Sequence, residues 1–439
     1  MNSGTFAKKL LGELPRLVSE GVLNEEYSLR LKKHYEAKAL NGANLTVLIF
    51  AVLGALLVGG GVILLVAHNW EELGRHARAG LSLLPLLICQ LLAIWVVLTG
   101  RREGAWGEGV GVGWHLATGA AIALISQTYH IGGTATEYLF GWALLTLPLT
   151  YLLGSTASFA LWVFTWSAWA ISSIDYQWER VWLFWPVALL FLPYILKVYR
   201  KNRYGGRAGL VSIGIAALVG AGCLSAHLFV KAPMLSWLAP LAASILYLMG
   251  LSYFSKAETL RQNTLLSLGA LALAIVILVY SYGDIWRFVM RDNFNNYKNL
   301  QGMWHYYGYA NFALFALGWA LLLAVAVRKR GLFSLAFGLF PAVMLFSWVI
   351  NTILGVYMPG MVIVNLYGLL VGVLMVIRAA KATSVGGMNR AMIFLSALIA
   401  LRFFDSDLSI LTKGLAFIII GALFFAANFK MTRKAKVTT

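Results

Sequence analysis

The groups in this chain best able to do chemistry are a few polar and ionisable side chains set between long apolar stretches. The run from Ser126 to Glu137, Ser-Gln-Thr-Tyr-His-Ile-Gly-Gly-Thr-Ala-Thr-Glu, holds three of them, Gln127, His130 and Glu137. Gln127 and His130 stand three apart, so on a helix they share a face, and Glu137 can approach that face across the Gly132-Gly133 turn. A histidine and a carboxylate meeting near the hydrocarbon edge would make a proton relay or a cation site. The structural alternative is a hydrogen-bonded cluster that fixes one helix against the next. His68 and Asn69 follow an earlier apolar stretch, and Arg402 lies three residues before Asp405, as an i, i+3 ion pair or as a contact for a negatively charged headgroup.

Other chemistries find little support. His68 and His76 flank Glu71 and Glu72 at a spacing that matches no metal motif, and neither a His-Glu-x-x-His helix nor a phosphate-cradling glycine loop ending in Lys-Ser or Lys-Thr is present. Accordingly no catalytic residue, metal or cofactor is expected. Cys89 and Cys223 sit in apolar runs, where a thiol acts as a small hydrophobe.

The elements that must position these groups follow from composition. With 60% hydrophobic and 12% charged residues over 439 positions, and a mean hydropathy of +0.77, the chain has more apolar surface than a water-soluble core of this size can hide. The expected fold class is therefore all-α, a polytopic transmembrane helix bundle. A hydrocarbon core about 30 Å thick takes roughly 17 to 25 apolar residues per helix, and fourteen segments qualify, the fourth and thirteenth being short. The first seven are Leu45 to Ala67, Ala79 to Thr99, Val110 to Ile131, Tyr138 to Leu153, Thr156 to Ile174, Val181 to Val198 and Ala208 to Val230. The second seven are Leu235 to Phe254, Thr264 to Tyr282, Tyr306 to Val327, Leu332 to Ile350, Val356 to Ile377, Asn389 to Phe404 and Leu408 to Phe429.

Lysine and arginine alternate between rich and poor loops on this scheme, as the positive-inside rule requires. With both termini in the cytoplasm, 26 basic residues fall inside and 9 outside, against 8 and 9 acidic ones, so the net charge of +18 lies wholly on the inner face. Orientation and attraction to anionic membrane lipids account for it, and nucleic acid is not an expected partner.

Three regions result: residues 1 to 44, a cytosolic amphipathic helical segment; 45 to 429, the membrane domain; and 430 to 439, a basic cytosolic tail. The first lacks the short basic and apolar pattern of a cleaved signal and offers a docking place for a cytosolic or membrane protein. The aromatic-rich loop from Gly283 to His305 is expected along the outer interface. Leu53-Gly54-Ala55-Leu56 recurs as Leu268-Gly269-Ala270-Leu271 eight spans later, which suggests two parallel six-span repeats joined by two linking spans.

Several phrases together carry a resemblance: Glu20-Gly21-Val22-Leu23, Ala67-His68-Asn69-Trp70, Ser126 to Gly133, and Trp142-Ala143-Leu144-Leu145, with Arg402-Phe403-Phe404-Asp405 and Lys413-Gly414-Leu415 near the end. The chain resembles the bacterial family of predicted membrane proteins called domain of unknown function two-one-five-seven. That resemblance implies a bacterial inner-membrane protein with a cytosolic helical segment at its start, and it supplies no activity or site residues.

These features favour a transporter or flippase-like protein for a small or amphipathic envelope substrate, with its polar site at the outer face. The other readings are an envelope membrane transferase using His130 or Glu137 as general base, and a non-catalytic assembly or scaffold protein working through residues 1 to 44.

Overall fold

The computed structural model describes residues 3–40, 70, 72–102, 104–173, 179–230, 237–254, 263–287, 303–329, 335–404 and 418. All regular structure among them is helical. Two compact units divide the chain, residues 1–80 and 81–439.

In the first unit, α1 (Ser3–Ser19) and α2 (Glu25–Leu40) form a helical hairpin. The turn between them closes with Gly21 at φ 69° and with the Val22 and Leu23 amides donating to Leu17 O, the αL ending that glycine adopts without strain. Glu25 and Glu26 open α2, where carboxylates suit the positive end of the helix dipole. Leu14 is buried, whereas Val22, Tyr27 and Leu29 are exposed.

The second unit is the helical domain. It takes in α3 (Arg75–Leu98) from Leu81 onward, then α4 (Ala105–Tyr129), α5 (Ala135–Thr146), α6 (Leu149–Leu153), α7 (Thr156–Ser172), α8 (Phe184–Leu189), α9 (Leu192–Asn202) and α10 (Gly206–Val230). Then come α11 (Leu238–Tyr253), α12 (Thr264–Tyr280), α13 (Met303–Lys329), α14 (Phe340–Leu354), α15 (Met358–Lys381) and α16 (Val385–Phe404). Seven helical stretches are long and apolar enough to cross a membrane, and three shorter apolar helices, Leu238–Tyr253, Thr264–Tyr280 and Val385–Leu401, accompany them.

Twelve of the fourteen expected segments fall on these elements; Leu45 to Ala67 and nearly all of Leu408 to Phe429 lie outside the described residues, as does the Leu53 half of the internal match. Two segments are broken rather than continuous. Pro148, which has no N–H to give a helix, separates α5 from α6, and the stretch from Glu179 to Asn202 is divided into a 3-10 turn, α8 and α9, with Pro193 in the first turn of α9.

Outward faces are apolar. On α13, Leu314, Leu317, Leu321 and Val325 recur at helical spacing and are all exposed, as are Leu366, Leu369 and Leu370 on α15. A soluble protein would place polar groups along such faces, so this surface is built for hydrocarbon.

Contacts between helix ends reveal an alternating path. Glu108, at the start of α4, pairs with Arg207, at the start of α10, and accepts hydrogen bonds from the start of α7. Near it, Arg203 Nη1 donates to Tyr253 O, at the end of α11, over 2.8 Å, and Asn263 Nδ2, preceding α12, donates to Gly250 O over 3.0 Å. At the opposite helix ends, Thr136 Oγ1 donates to Ser172 O, Trp185 Nε1 to Asn311 Oδ1, and Arg287 Nη2 to the Tyr357 hydroxyl. Each contact joins residues that an up-and-down course puts at the same end.

Trp286 departs from the interfacial expectation for its loop. It is fully buried and its indole N–H donates to Tyr280 O over 2.8 Å, so the ring fills the core beside α12 instead of lying along a membrane surface.

Candidate functional site

Helix α7 organises the region around the polar stretch, because its buried side carries two unlike stripes next to each other. Trp162, Trp166 and Trp169, all fully buried, stack along one stripe, with ring centroids 5.5 and 4.2 Å apart. Two of their donors meet carbonyls of neighbouring helices: Trp162 Nε1 reaches Ala143 O at 2.9 Å and Trp166 Nε1 reaches Phe184 O at 3.1 Å. Buried indole N–H groups need such acceptors. An adjoining stripe on the same buried side carries Ser155, Ser158 and Thr165 toward α4.

Helix α4 meets that hydroxyl stripe with glycines. A Cβ on Gly111 would collide with Ser158 Oγ, and one on Gly119 would stand 2.5 Å from the Trp142 ring of α5. Small residues thus let three helices close on one another, the means by which membrane helices pack where no hydrophobic effect drives them together.

Between those glycines lies His115, 1% exposed. At a rise of 1.5 Å per residue it is about 15 Å from the start of α4 and about 21 Å from its end, well inside the apolar span. Its Nε2 lies 3.1 Å from Thr165 Oγ1. The Thr165 hydroxyl donates its proton to Leu161 O at 3.0 Å, so the hydroxyl oxygen accepts and the imidazole carries its hydrogen on Nε2. Nδ1 of the neutral ring is then a bare lone pair, and it has no hydrogen-bond partner among the described residues. Trp142 leans on the ring, centroids 5.2 Å apart at 41°, while its own Nε1 donates to His115 O over 2.8 Å.

One end of this seam is charged. Glu108 Oε2 accepts from Ser155 Oγ and Ala157 N, both at 2.8 Å, and Oε1 accepts from Thr156 N at 3.2 Å and from Arg207 Nη2 at 3.0 Å.

The opposite end holds Gln127, His130 and Glu137, all exposed. His130 closes α4 in the left-handed conformation at φ 54°, with Ile131 N donating to Ser126 O, and its Nδ1 donates to Gln127 O at 2.9 Å. Glu137 belongs to a capping box: its amide donates to Thr134 Oγ1 at 3.2 Å and its Oε2 accepts from Thr134 N at 2.9 Å. Among the described residues no hydrogen bond or ion pair joins His130 to Glu137. Each side chain is engaged by the backbone of its own turn.

A stability prediction follows for His130. Because glycine adopts positive φ freely, His130→Gly should leave stability within about 1 kcal/mol of wild type, whereas the β-branched His130→Val should lower it by about 1 to 2 kcal/mol. Thermal midpoints in detergent would compare the two.

The remaining sequence candidates are placed as follows. His68, Asn69 and Asp405 lie outside the described residues, and Arg402 is in the last turn of α16 with its side chain outside them. No group of three or more metal-ligating side chains occurs among the described residues. Sequence reasoning missed His115 and Glu108. The available signal was a histidine midway along an apolar, glycine-rich run.

Residues 15–159 match the family model described as Predicted membrane protein (DUF2157). The matched stretch covers the Glu20, Ala67, Ser126 and Trp142 phrases and ends before those at Arg402 and Lys413. It includes Glu108, His115, Gln127, His130 and Glu137 and stops within the first turns of α7. No curated protein and no solved structure matches the chain.

Proposed function

We propose that this protein is a multi-pass transporter or flippase-like protein of a bacterial inner membrane, moving a small or amphipathic envelope substrate. The observation that carries the reading is the polar seam between α4, α5 and α7, which runs lengthwise through helices whose outer surfaces are apolar. Polar and ionisable groups inside a membrane are costly and typically line pathways for substrates or ions. In this reading the fourteen apolar segments all span, and the uneven distribution of basic residues sets both termini in the cytoplasm. His130 and Glu137 serve proton coupling and Gln127 orients the substrate at the outer face, a role that the sequence also gives to His68 and Asn69. Arg402 meets negative charge there, with Asp405 as its ion-pair partner.

Uptake by proteoliposomes tests this. A panel of fluorescent phospholipids, lipid-linked sugars and small envelope solutes would be offered to the purified chain. Glu137→Ala and His130→Ala should each lower the initial rate at least several-fold, and His130→Gly, which keeps the backbone turn, should lower it equally. If His130→Gly transports like wild type, the imidazole serves only the turn. If no member of the panel moves, the transporter reading fails.

A further inference from the structure

We infer that His115 is a proton-binding site inside the membrane domain, with Nδ1 as the atom that takes the proton. This deepens the transporter reading and rests on it for the use made of the proton, though not for the binding itself.

Three observations converge on it. Nδ1 is buried with no partner among the described residues, while Thr165 fixes the ring in the Nε2–H form and so keeps the free lone pair on Nδ1. A buried unpaired acceptor costs about 1 to 3 kcal/mol, and its retention in a native structure calls for a reason. Second, Trp142 presents its ring within 5.2 Å of the imidazole, a distance at which an indole face attracts a cation. Third, the groups that would compete for the proton are few. Helix α7 carries no titratable residue; α5 offers Glu137, already in its capping box, and Tyr138, whose hydroxyl donates to Gly119 O at 3.1 Å. Of the other neighbours, α6 has Tyr151, α3 has Cys89 against Gly113, and α4 itself has Glu108, occupied by Arg207 and the α7 amides.

The proton adds to the Nδ1 lone pair from a hydronium or buffer acid, and the Nε2–H goes on donating to Thr165 Oγ1. The resulting imidazolium has an Nδ1–H with no acceptor among the described residues and a charge held in a buried, largely apolar site, which favours any arrangement that admits water. The Trp142 ring is the piece that must move, because it fills the notch over Gly119 and covers the imidazole. Proton uptake and release of Trp142 are therefore one linked event.

Nitrogen NMR of the full chain in lipid nanodiscs, with 15N-labelled histidine and tryptophan side chains, tests this without a substrate. His115→Gln keeps a donor toward Thr165 and removes the titrating ring, so its difference spectrum identifies the His115 signals. Trp142→Phe likewise identifies the Trp142 indole. As the pH is lowered from neutrality through and below the ordinary imidazole range, the His115 Nδ1 signal should move from the bare to the protonated position and the Trp142 indole signal should shift with the same midpoint. In His115→Gln the Trp142 shift should vanish. If Nδ1 stays bare to the acid end, or if Trp142 shifts equally in His115→Gln, the inference is overturned. Should His115→Gln fail to fold, a variant retaining His115 as its sole histidine gives the same reading. Proton binding without transport of any offered substrate would retain this site and reject the transporter reading.

Discussion

Replacing Gly269 with Ala should destabilise the protein by about 3 kcal/mol, the upper part of the range for overpacking a core. The size of the effect comes from what the new methyl would meet. A Cβ on Gly269 would stand 2.6 Å from Tyr247 Cα and closer still to Tyr247 N, and one on Gly250 would stand 2.6 Å from Leu266 Cα and closer to its amide. These are backbone atoms of a neighbouring helix, so no side-chain rotation can relieve the clash and α11 and α12 must separate. Separation would also pull apart the Asn263 bridge, in which Nδ2 holds Gly250 O at 3.0 Å while Oδ1 caps α12 through Leu266 N at 3.1 Å. Gly250→Ala should behave alike. The double variant should cost less than the two single effects added, because the first methyl opens the space that the second one uses. Gly220→Ala is the control: nothing lies within 4 Å of its Cβ position, and a mid-helix Gly to Ala change there should be neutral or stabilising by up to about 1 kcal/mol. Unfolding free energies in bicelles would decide, and single variants at Gly250 and Gly269 as stable as the control would refute the backbone contact.

How much of this could be read beforehand depends on the range of the interaction involved. The helices themselves were legible, since a span needs only a long enough apolar run and each run is local in sequence. Breaks at Pro148 and near Pro193 were legible in principle for the same reason. So was the role of Glu137, because Thr134-x-x-Glu137 before an apolar run is the signature of a capping box, and Gln127 and His130 are joined within one turn. What sequence could not supply was the partner of a residue across the bundle. His115 meets Thr165 fifty positions away, and Trp142, which covers it, comes from a third helix. Trp286 misled because an aromatic in a polar loop fits the membrane interface equally well, and only the packing beside Tyr280 shows it to be core.

Glu108 is the strongest case of that long-range kind, and Glu108→Ala should cost about 3 kcal/mol. Its carboxylate, on α4, accepts from Thr156 N, Ala157 N and Ser155 Oγ at the start of α7, taking the place that an anion would occupy at a helix N-terminus. Hydrogen bonds to a charged group contribute about 1.5 to 3 kcal/mol, and the helix dipole about 0.3 to 1 kcal/mol more. Removing the carboxylate leaves the Thr156 and Ala157 amides to find water. Arg207 contributes less: its side chain is 39% exposed, and exposed ion pairs are worth about 0 to 1 kcal/mol. The expected order of destabilisation is therefore Glu108→Ala above Glu108→Gln above Arg207→Ala, read from thermal midpoints at low and high salt. An Arg207→Ala loss equal to that of Glu108→Ala, and abolished by salt, would show that the ion pair and not the helix cap does the holding. The cap matters for mechanism because it fastens the starts of α4, α7 and α10 together, so the seam around His115 is expected to part toward the end away from Glu108, on the side that Trp142 covers. If Glu108→Ala broadened the pH response of the Trp142 indole while His115 still took up its proton, the fastening at Glu108 would be what confines the opening to that end.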